Sequence, residues 1–219
     1  MADSSSREGA HHGSADILEW IAKTHAPHDA ALDRAYRAHE TDGLPAIQVG
    51  PSEGKLLHLL ARMIGAKRIV EIGTLGGYSA IWLARALPPD GRLYTLEREP
   101  RHAEVARRNL DAAGVGDRVT ILVGDARENL RELAAEGPFC MVFVDADKGS
   151  YPEYGRFAAA HVREGGLLVG DNAFLFGDLL HPQEETAAAM RAFHQEMRKS
   201  FDSVCVPTPD GLVVGIKIS

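Results

Sequence analysis

Arg68-Ile69-Val70-Glu71-Ile72-Gly73-Thr74-Leu75-Gly76-Gly77-Tyr78-Ser79 decides the fold of this chain. Ile69, Val70 and Ile72 form a short apolar run with β-branched bias, and glycines then crowd one bend. Ala80, Ile81, Leu83 and Ala84 resume at helical spacing. The pattern predicts a strand, a tight turn and the opening of a helix. Such a turn lets a ligand approach bare backbone at a helix N-terminus, the usual nucleotide position at the carboxyl edge of an open α/β sheet. The spacing is G-x-x-G-G rather than the G-x-G-x-x-G of dinucleotide folds, and Glu71 stands just ahead of the turn. A pyrophosphate beside Glu71 would meet like charge, costing up to roughly 4 kcal/mol at contact distance in a medium of intermediate dielectric. An ammonium group would be favoured there. The stretch fits a ligand that joins an amino acid end to a nucleoside and lacks phosphates. A glutamate that only caps the loop is the competing reading.

Working outward, strands and helices alternate. The pattern predicts strands over Arg92–Glu97, Val119–Val123, Phe139–Val144 and Gly166–Val169, separated by helices over Pro100–Ala113, Arg127–Ala135 and Pro152–His161. Strands separated by helices pair in parallel through right-handed crossovers. A helix over Glu184–Lys199 follows. The chain then closes with Phe201–Val206 and Leu212–Ile218 around Pro209-Asp210-Gly211, an antiparallel hairpin ending a parallel sheet. Before the glycine turn, Ser52–Ile64 reads as a helix packed beside the first strand. Stretches Ile17–Lys23 and Asp29–Glu40 read as helices of a lid spanning about residues 14–50. Residues 1–13 are small and polar, which predicts a disordered tail ahead of a single domain over 14–219.

Composition narrows the class of partner. With 219 residues, 45% hydrophobic and 25% charged, the chain is sized and composed as one soluble globular domain. A net charge of −7 without a Lys/Arg run argues against a nucleic-acid surface, which needs clustered cations. Cys140 and Cys205 lack metal-type spacing, which points to a reduced, cytoplasmic interior. The sequence has neither an apolar leader segment nor a membrane-length apolar run, so neither export nor a membrane is expected. The histidines show no metal-binding spacing and no serine elbow occurs, leaving hydrolase readings without support.

Parallel strands point their carboxyl ends one way, so acids at strand ends gather at one edge. Glu97 lies 24 positions after Gly73 (97 − 73), a spacing suited to ribose hydroxyls; a solvated strand-end acid is the alternative. Asp125, in G-D-A-R, is either an acceptor for an adenine amino group with Ala126 leaving room for the ring, or the N-cap of the next helix, or both. Asp145 in F-V-D-A-D-K, with Asp171 and Asn172 in G-D-N, would converge as three oxygen donors. Hard donors with two negative charges suit Mg²⁺, which leaves room for water and substrate oxygens. Asp147, on the opposite alternation, reads as a helix cap.

Taken in order, Q-V-G-P, V-E-I-G-T-L-G-G-Y-S, G-D-A, F-V-D-A-D-K and G-D-N resemble the cation-dependent class I O-methyltransferases that use S-adenosylmethionine, the group of catechol and caffeoyl-CoA O-methyltransferases. The likeness runs from about Ile47 to the C-terminus. It implies a Rossmann-like, seven-stranded, mostly parallel sheet with an antiparallel last strand and helices on both faces. It implies that Val49, Glu71, Gly73 and Ser79 hold the amino acid end of S-adenosylmethionine and that Tyr78 lines that pocket. Glu97 would take the ribose, and Asp125 with Ala126 the adenine. Asp145, which also borders the donor site, would join Asp171 and Asn172 in binding Mg²⁺, with Lys148 as general base. The expected reaction is methylation of a vicinal dihydroxy aromatic, a catechol-type small molecule, by a homodimer. Phe174, Leu175 and Phe176 offer an apolar wall for such a ring, and an ordinary hydrophobic loop fits them equally. The rival readings are a dinucleotide-dependent oxidoreductase, against which the glycine spacing and Glu71 count, and a non-catalytic S-adenosylmethionine-binding protein, against which Lys148 counts.

Overall fold

The computed structural model describes residues 13–181 and 183–219. Residues 1–12, and with them nearly all of the expected tail, lie outside the described residues. The elements are α1 (Ala15–His25), α2 (Ala30–Tyr36), α3 (Ala38–Thr41), α4 (Pro51–Met63), β1 (Arg68–Ile72), α5 (Tyr78–Ala86), β2 (Arg92–Glu97) and α6 (Pro100–Ala112). There follow β3 (Val119–Val123), α7 (Ala126–Leu133), β4 (Phe139–Val144), α8 (Tyr151–His161), β5 (Val162–Gly170), α9 (Glu185–Ser200), β6 (Phe201–Val206) and β7 (Leu212–Lys217). One seven-stranded sheet has the order β3-β2-β1-β4-β5-β7-β6. β1 to β5 pair in parallel, and β7 inserts antiparallel between β5 and β6. The expected mostly parallel sheet with an antiparallel last strand is the one observed.

Strand alternation builds a core on each face. Ile69, Leu93, Met141, Phe143, Leu167 and Val169 join Leu57, Ala61, Ile81 and Leu110 of α4, α5 and α6. Val70, Ile72, Leu96, Val142, Val144 and Leu168 turn the other way, onto Leu130 of α7, Tyr154 of α8 and Phe193 of α9. Near-continuous apolar strands are what a sheet covered on both faces requires. The strand order reverses between β1 and β4, opening a crevice beyond their carboxyl ends.

Two boundaries depart from expectation for identifiable reasons. The helix expected over Asp29–Glu40 breaks at Arg37, because the Tyr36 carbonyl accepts from Gln48 Nε2 (3.0 Å) rather than from the next helical turn. Asp29 is its N-cap, accepting from the Leu32 amide at 2.9 Å. β5 begins at Val162, not Gly166, because Val162 pairs with Phe139 before a register shift restores pairing at Leu167. Of the expected lid, α2, α3 and residues 44–49 wall the crevice, whereas α1 packs on α4 and buries none of its residues. Asp29–Arg85 (2.7 Å) and Asp42–Arg108 (2.6 Å) tie this wall to α5 and α6.

Candidate active site

The strand ends open on one cavity of about 710 Å³. Its floor is the glycine turn. A Cβ on Gly73 would sit 2.0 Å from the Asp145 carbonyl oxygen, and φ there is +105°. Only glycine lets β1 leave the sheet this close to the end of β4. Gly77, at φ +82°, turns the chain into α5.

Glu71 pairs in register with Thr95 and points to the α5 side of the sheet, where the Thr95 hydroxyl donates to its Oε2 at 2.5 Å. It is fully buried, and its Oε1 has no partner. Burial pushes its carboxyl up to about 8; the Ser79 and Thr95 hydroxyls oppose this, and Asp145 and Glu97 add to it. A buried acid with one free oxygen beside a glycine turn is a ready acceptor for an ammonium group. Tyr78 packs against Tyr36 (5.0 Å between centroids), and its hydroxyl meets His28 Nε2 at 2.8 Å. Val49, Gly73, Tyr78 and Ser79 all line the cavity.

Glu97 is buried rather than solvated. Its Oε2 accepts from the Leu75 amide (2.7 Å) and, longer, from that of Thr74 (3.3 Å), while Oε1 accepts from the Glu99 amide (3.0 Å). It therefore closes the glycine turn, with lone pairs left for a ligand hydroxyl. Asp125 is the N-cap of α7, accepting from the Arg127 amide at 2.8 Å and from the Arg127 guanidinium at 3.1 and 2.7 Å. The Arg127 hydrogen bonds hold its carboxyl well below the usual range. Asp125 and Ala126 line the cavity, so capping leaves adenine contact open.

At the other end, Asp145 and Asp171 follow the paired residues Val144 and Gly170 on adjacent strands, which brings the two acids side by side. The Asp171 amide donates to the Val144 carbonyl at 2.9 Å. Burial raises both carboxyls; the Asp145 charge adds to the rise at Asp171, and Lys148 opposes it at Asp145. Asp171 Oδ1 is buried without a partner. Asn172, at φ +53°, is buried and lines the cavity. Among the described residues no three His, Cys, Asp or Glu side chains are set to hold a metal, so a centre here depends on the Asn172 amide. Two crowded carboxylates, one with an orphaned oxygen, and a neighbouring amide fit a hard divalent cation.

Lys148 Nζ donates to Asp145 Oδ1 at 3.2 Å and to the Tyr151 hydroxyl at 2.9 Å. Asp147 is a cap, as expected, accepting from the Ser150 amide (3.1 Å) and from the Tyr154 hydroxyl (2.7 Å). Sequence reasoning missed Tyr151. Its buried hydroxyl is directed at the carbonyls of Val144 (3.2 Å) and Asp171 (3.0 Å), so it ties the ends of β4 and β5 to Lys148. The signal was present as Lys148 and Tyr151 three apart where a helix opens at Tyr151-Pro152. His102, with Nδ1 3.4 Å from Glu97, and Asp210, which the distant β6–β7 turn brings to the cavity wall, were also missed.

The O-methyltransferase family model matches residues 23–218. A catechol O-methyltransferase of Niastella koreensis is 47% identical, covering 75% of each chain, and one of Mycobacterium tuberculosis is 46% identical, covering 79% of this chain and 78% of that one. The O-methyltransferase TomG of Streptomyces achromogenes, involved in tomaymycin synthesis and solved in complex with SAM, superimposes with a TM-score of 0.87 at 40% identity, over 93% of this chain and 96% of its own. A dinucleotide-dependent oxidoreductase is thereby removed. The strand order, the glycine turn and the extent of these matches agree: the chain belongs to the O-methyltransferase family, enzymes of the class I S-adenosylmethionine-dependent fold.

Proposed function

We propose that the protein transfers a methyl group from S-adenosylmethionine to one hydroxyl of a catechol-type small molecule, with Mg²⁺ held by Asp145, Asp171 and Asn172. The observation that carries this is the neighbouring pair Asp145 and Asp171, with an orphaned Asp171 oxygen, beside a cavity that Asp145 and Asn172 line together with Gly73, Ser79 and Glu97. The two catechol O-methyltransferase relatives support the same acceptor class.

In this reading Glu71 takes the ammonium group of the donor, Glu97 the ribose hydroxyls, and Ala126 with Asp125 the adenine. Val49, Gly73, Tyr78 and Ser79 close the amino acid end. A bound divalent cation would supply Lewis acidity toward an acceptor hydroxyl whose free pKa is near 10. Lys148 takes the hydroxyl proton at Nζ while Asp145 and Tyr151 fix where Nζ stands. Holding donor and acceptor together in one cavity would supply much of the rate through proximity, the methyl passing to the acceptor oxygen as its bond to sulfur breaks. Of residues 14–50, α2, α3 and residues 44–49 serve as a wall over the donor end, and the whole of 14–219 works as one domain. The protein works in the cytoplasm; no described helix is long and apolar enough to cross a membrane. It acts as a homodimer, for which the exposed Ile17, Leu18 and Trp20 of α1 argue.

The test is turnover of catechol and of phenol with labelled S-adenosylmethionine, with and without chelator. Catechol should be methylated, phenol far more slowly, and excess chelator should abolish turnover until Mg²⁺ is returned. Full activity in chelator, or equal turnover of phenol and catechol, would sink this reading.

A further inference from the structure

A second, open cavity of about 590 Å³ adjoins the first, lined by Phe174, Phe176, Leu179, Leu180, Pro209 and Asp210. Phe176 and Asp210 line both spaces, so they form the boundary between them. The backbone there is strained, with Leu175 at φ +48° and Phe176 at φ +53°, values that side chains beyond glycine rarely adopt. This turn is pinned to the β6–β7 turn, because the amides of Ala173 and Phe174 donate to the carbonyls of Gly211 (2.9 Å) and Asp210 (3.0 Å). The pinned conformation leaves Phe176 66% and Leu180 81% exposed at the rim of the reaction centre. Held against water, these side chains lose the stabilisation that burial would give them. An occupant of the groove restores it.

The chemistry of the groove restricts that occupant. The side chains of its lining residues are apolar except for that of Asp210, and no Lys, Arg or His lines it among the described residues. An anionic chain end would find no counter-charge and would meet Asp210. We propose that this groove is an acceptor subsite taking an apolar substituent carried on the dihydroxy ring, with Phe176 between ring and substituent and Asp210 rejecting anionic chain ends. The inference rests on the catechol reading above and deepens it. The natural acceptor is then an alkyl- or aryl-substituted catechol, neutral or cationic at its far end, rather than an acid or a phosphate-bearing thioester.

The experiment is a series of 4-alkylcatechols, from methyl to hexyl, assayed with labelled S-adenosylmethionine and Mg²⁺, alongside hexyl chains ending in carboxylate or ammonium. In wild-type enzyme kcat/KM should rise about twofold per methylene, less than the fourfold of complete burial at ~0.8 kcal/mol per CH₂, because the groove is open. The ammonium-ended chain should exceed the carboxylate-ended one by about tenfold, the factor a like charge of about 1.4 kcal/mol produces. Leu180→Ala should flatten the rise with chain length, and Asp210→Asn should bring the two charged chain ends close to parity. Leu180 is exposed, so its variant folds, and the wild-type series needs no variant at all. Methylation of catechol with kcat/KM flat along the series, or a preference for the carboxylate end, would overturn the subsite and leave the reaction standing. Failure to methylate any catechol would overturn the reaction and this inference with it.

Discussion

In the proposed reading, Glu71 is the residue that ties fold to binding. Its proton is held to about 8 in the free protein, against an ordinary value of 4.5. Between these values the folded protein binds a proton that the unfolded chain has released. Glu71 therefore contributes most stability below about 4.5, and the contribution is lost as pH rises toward 8. Binding of an ammonium group requires the carboxylate, so S-adenosylmethionine should displace the proton. The prediction is an affinity that rises roughly tenfold per pH unit from 6 toward 8, with proton release in calorimetry across buffers of different ionisation enthalpy. Above 8 the gain should stop, because the ligand's own α-amino group loses its proton. Glu71→Gln should weaken binding and flatten both profiles; wild-type affinity independent of pH would remove the assignment. Lys148→Ala makes a complementary test. Donor binding should persist while the chemical step slows by on the order of 10² to 10⁴, read in single turnovers. A variant that loses donor affinity instead would mark Lys148 as part of the donor site.

At the scale of elements, β1 and β4 leave the sheet so close together that a single Cβ separates a working crevice from a blocked one. Gly73→Ala would place that atom 2.0 Å from the Asp145 carbonyl at a backbone angle alanine rarely adopts. The expected outcome is a loss of roughly 2–5 kcal/mol in denaturant unfolding together with loss of donor binding. Unchanged stability would mean that the turn relaxes. This junction was legible in the sequence because glycine spacing after an apolar run has few structural causes. The strands Arg92–Glu97, Val119–Val123, Phe139–Val144 and Phe201–Val206 were legible for the same kind of reason, having apolar runs bounded by turn residues. The break at Arg37 was not, because it is caused by Gln48, which reaches back from a later loop. Nor was the closing role of Glu97, whose hydrogen bonds to Thr74 and Leu75 join two strand ends far apart in sequence. Local pattern predicts local structure; contacts across the crevice depend on the strand order.

At the scale of the whole molecule, two parts of the protein would be completed by a partner in the proposed reading. One is the acid cluster. Burial raises the proton affinity of Asp145 and Asp171, and the Asp145 charge adds to the rise at Asp171, so a divalent cation that fits them should displace protons and stabilise the fold. Mg²⁺ in excess should raise the thermal midpoint by several degrees, with proton release in calorimetry. Asp171→Asn should abolish both effects; an unshifted wild-type midpoint would argue against the site. The other is α1. Ile17, Trp20 and Ile21 share one helical face, and Leu18 beside them is half exposed. Trp20 is 65% exposed, and on the neighbouring α4 Leu59 and Met63 are exposed as well. A helix that packs on its own domain yet buries none of its side chains gains too little to hold an apolar face in water. A second copy meeting the same face about a two-fold axis would bury Trp20 and Met63 of both chains at once, which suits a self-complementary contact. The prediction is a dimer by light scattering at micromolar concentration. Trp20→Glu should yield a folded monomer, because the substitution is made on the surface and leaves both cores intact. A wild-type monomer at high concentration, or a dimer undisturbed by Trp20→Glu, would show that α1 is not where two copies meet.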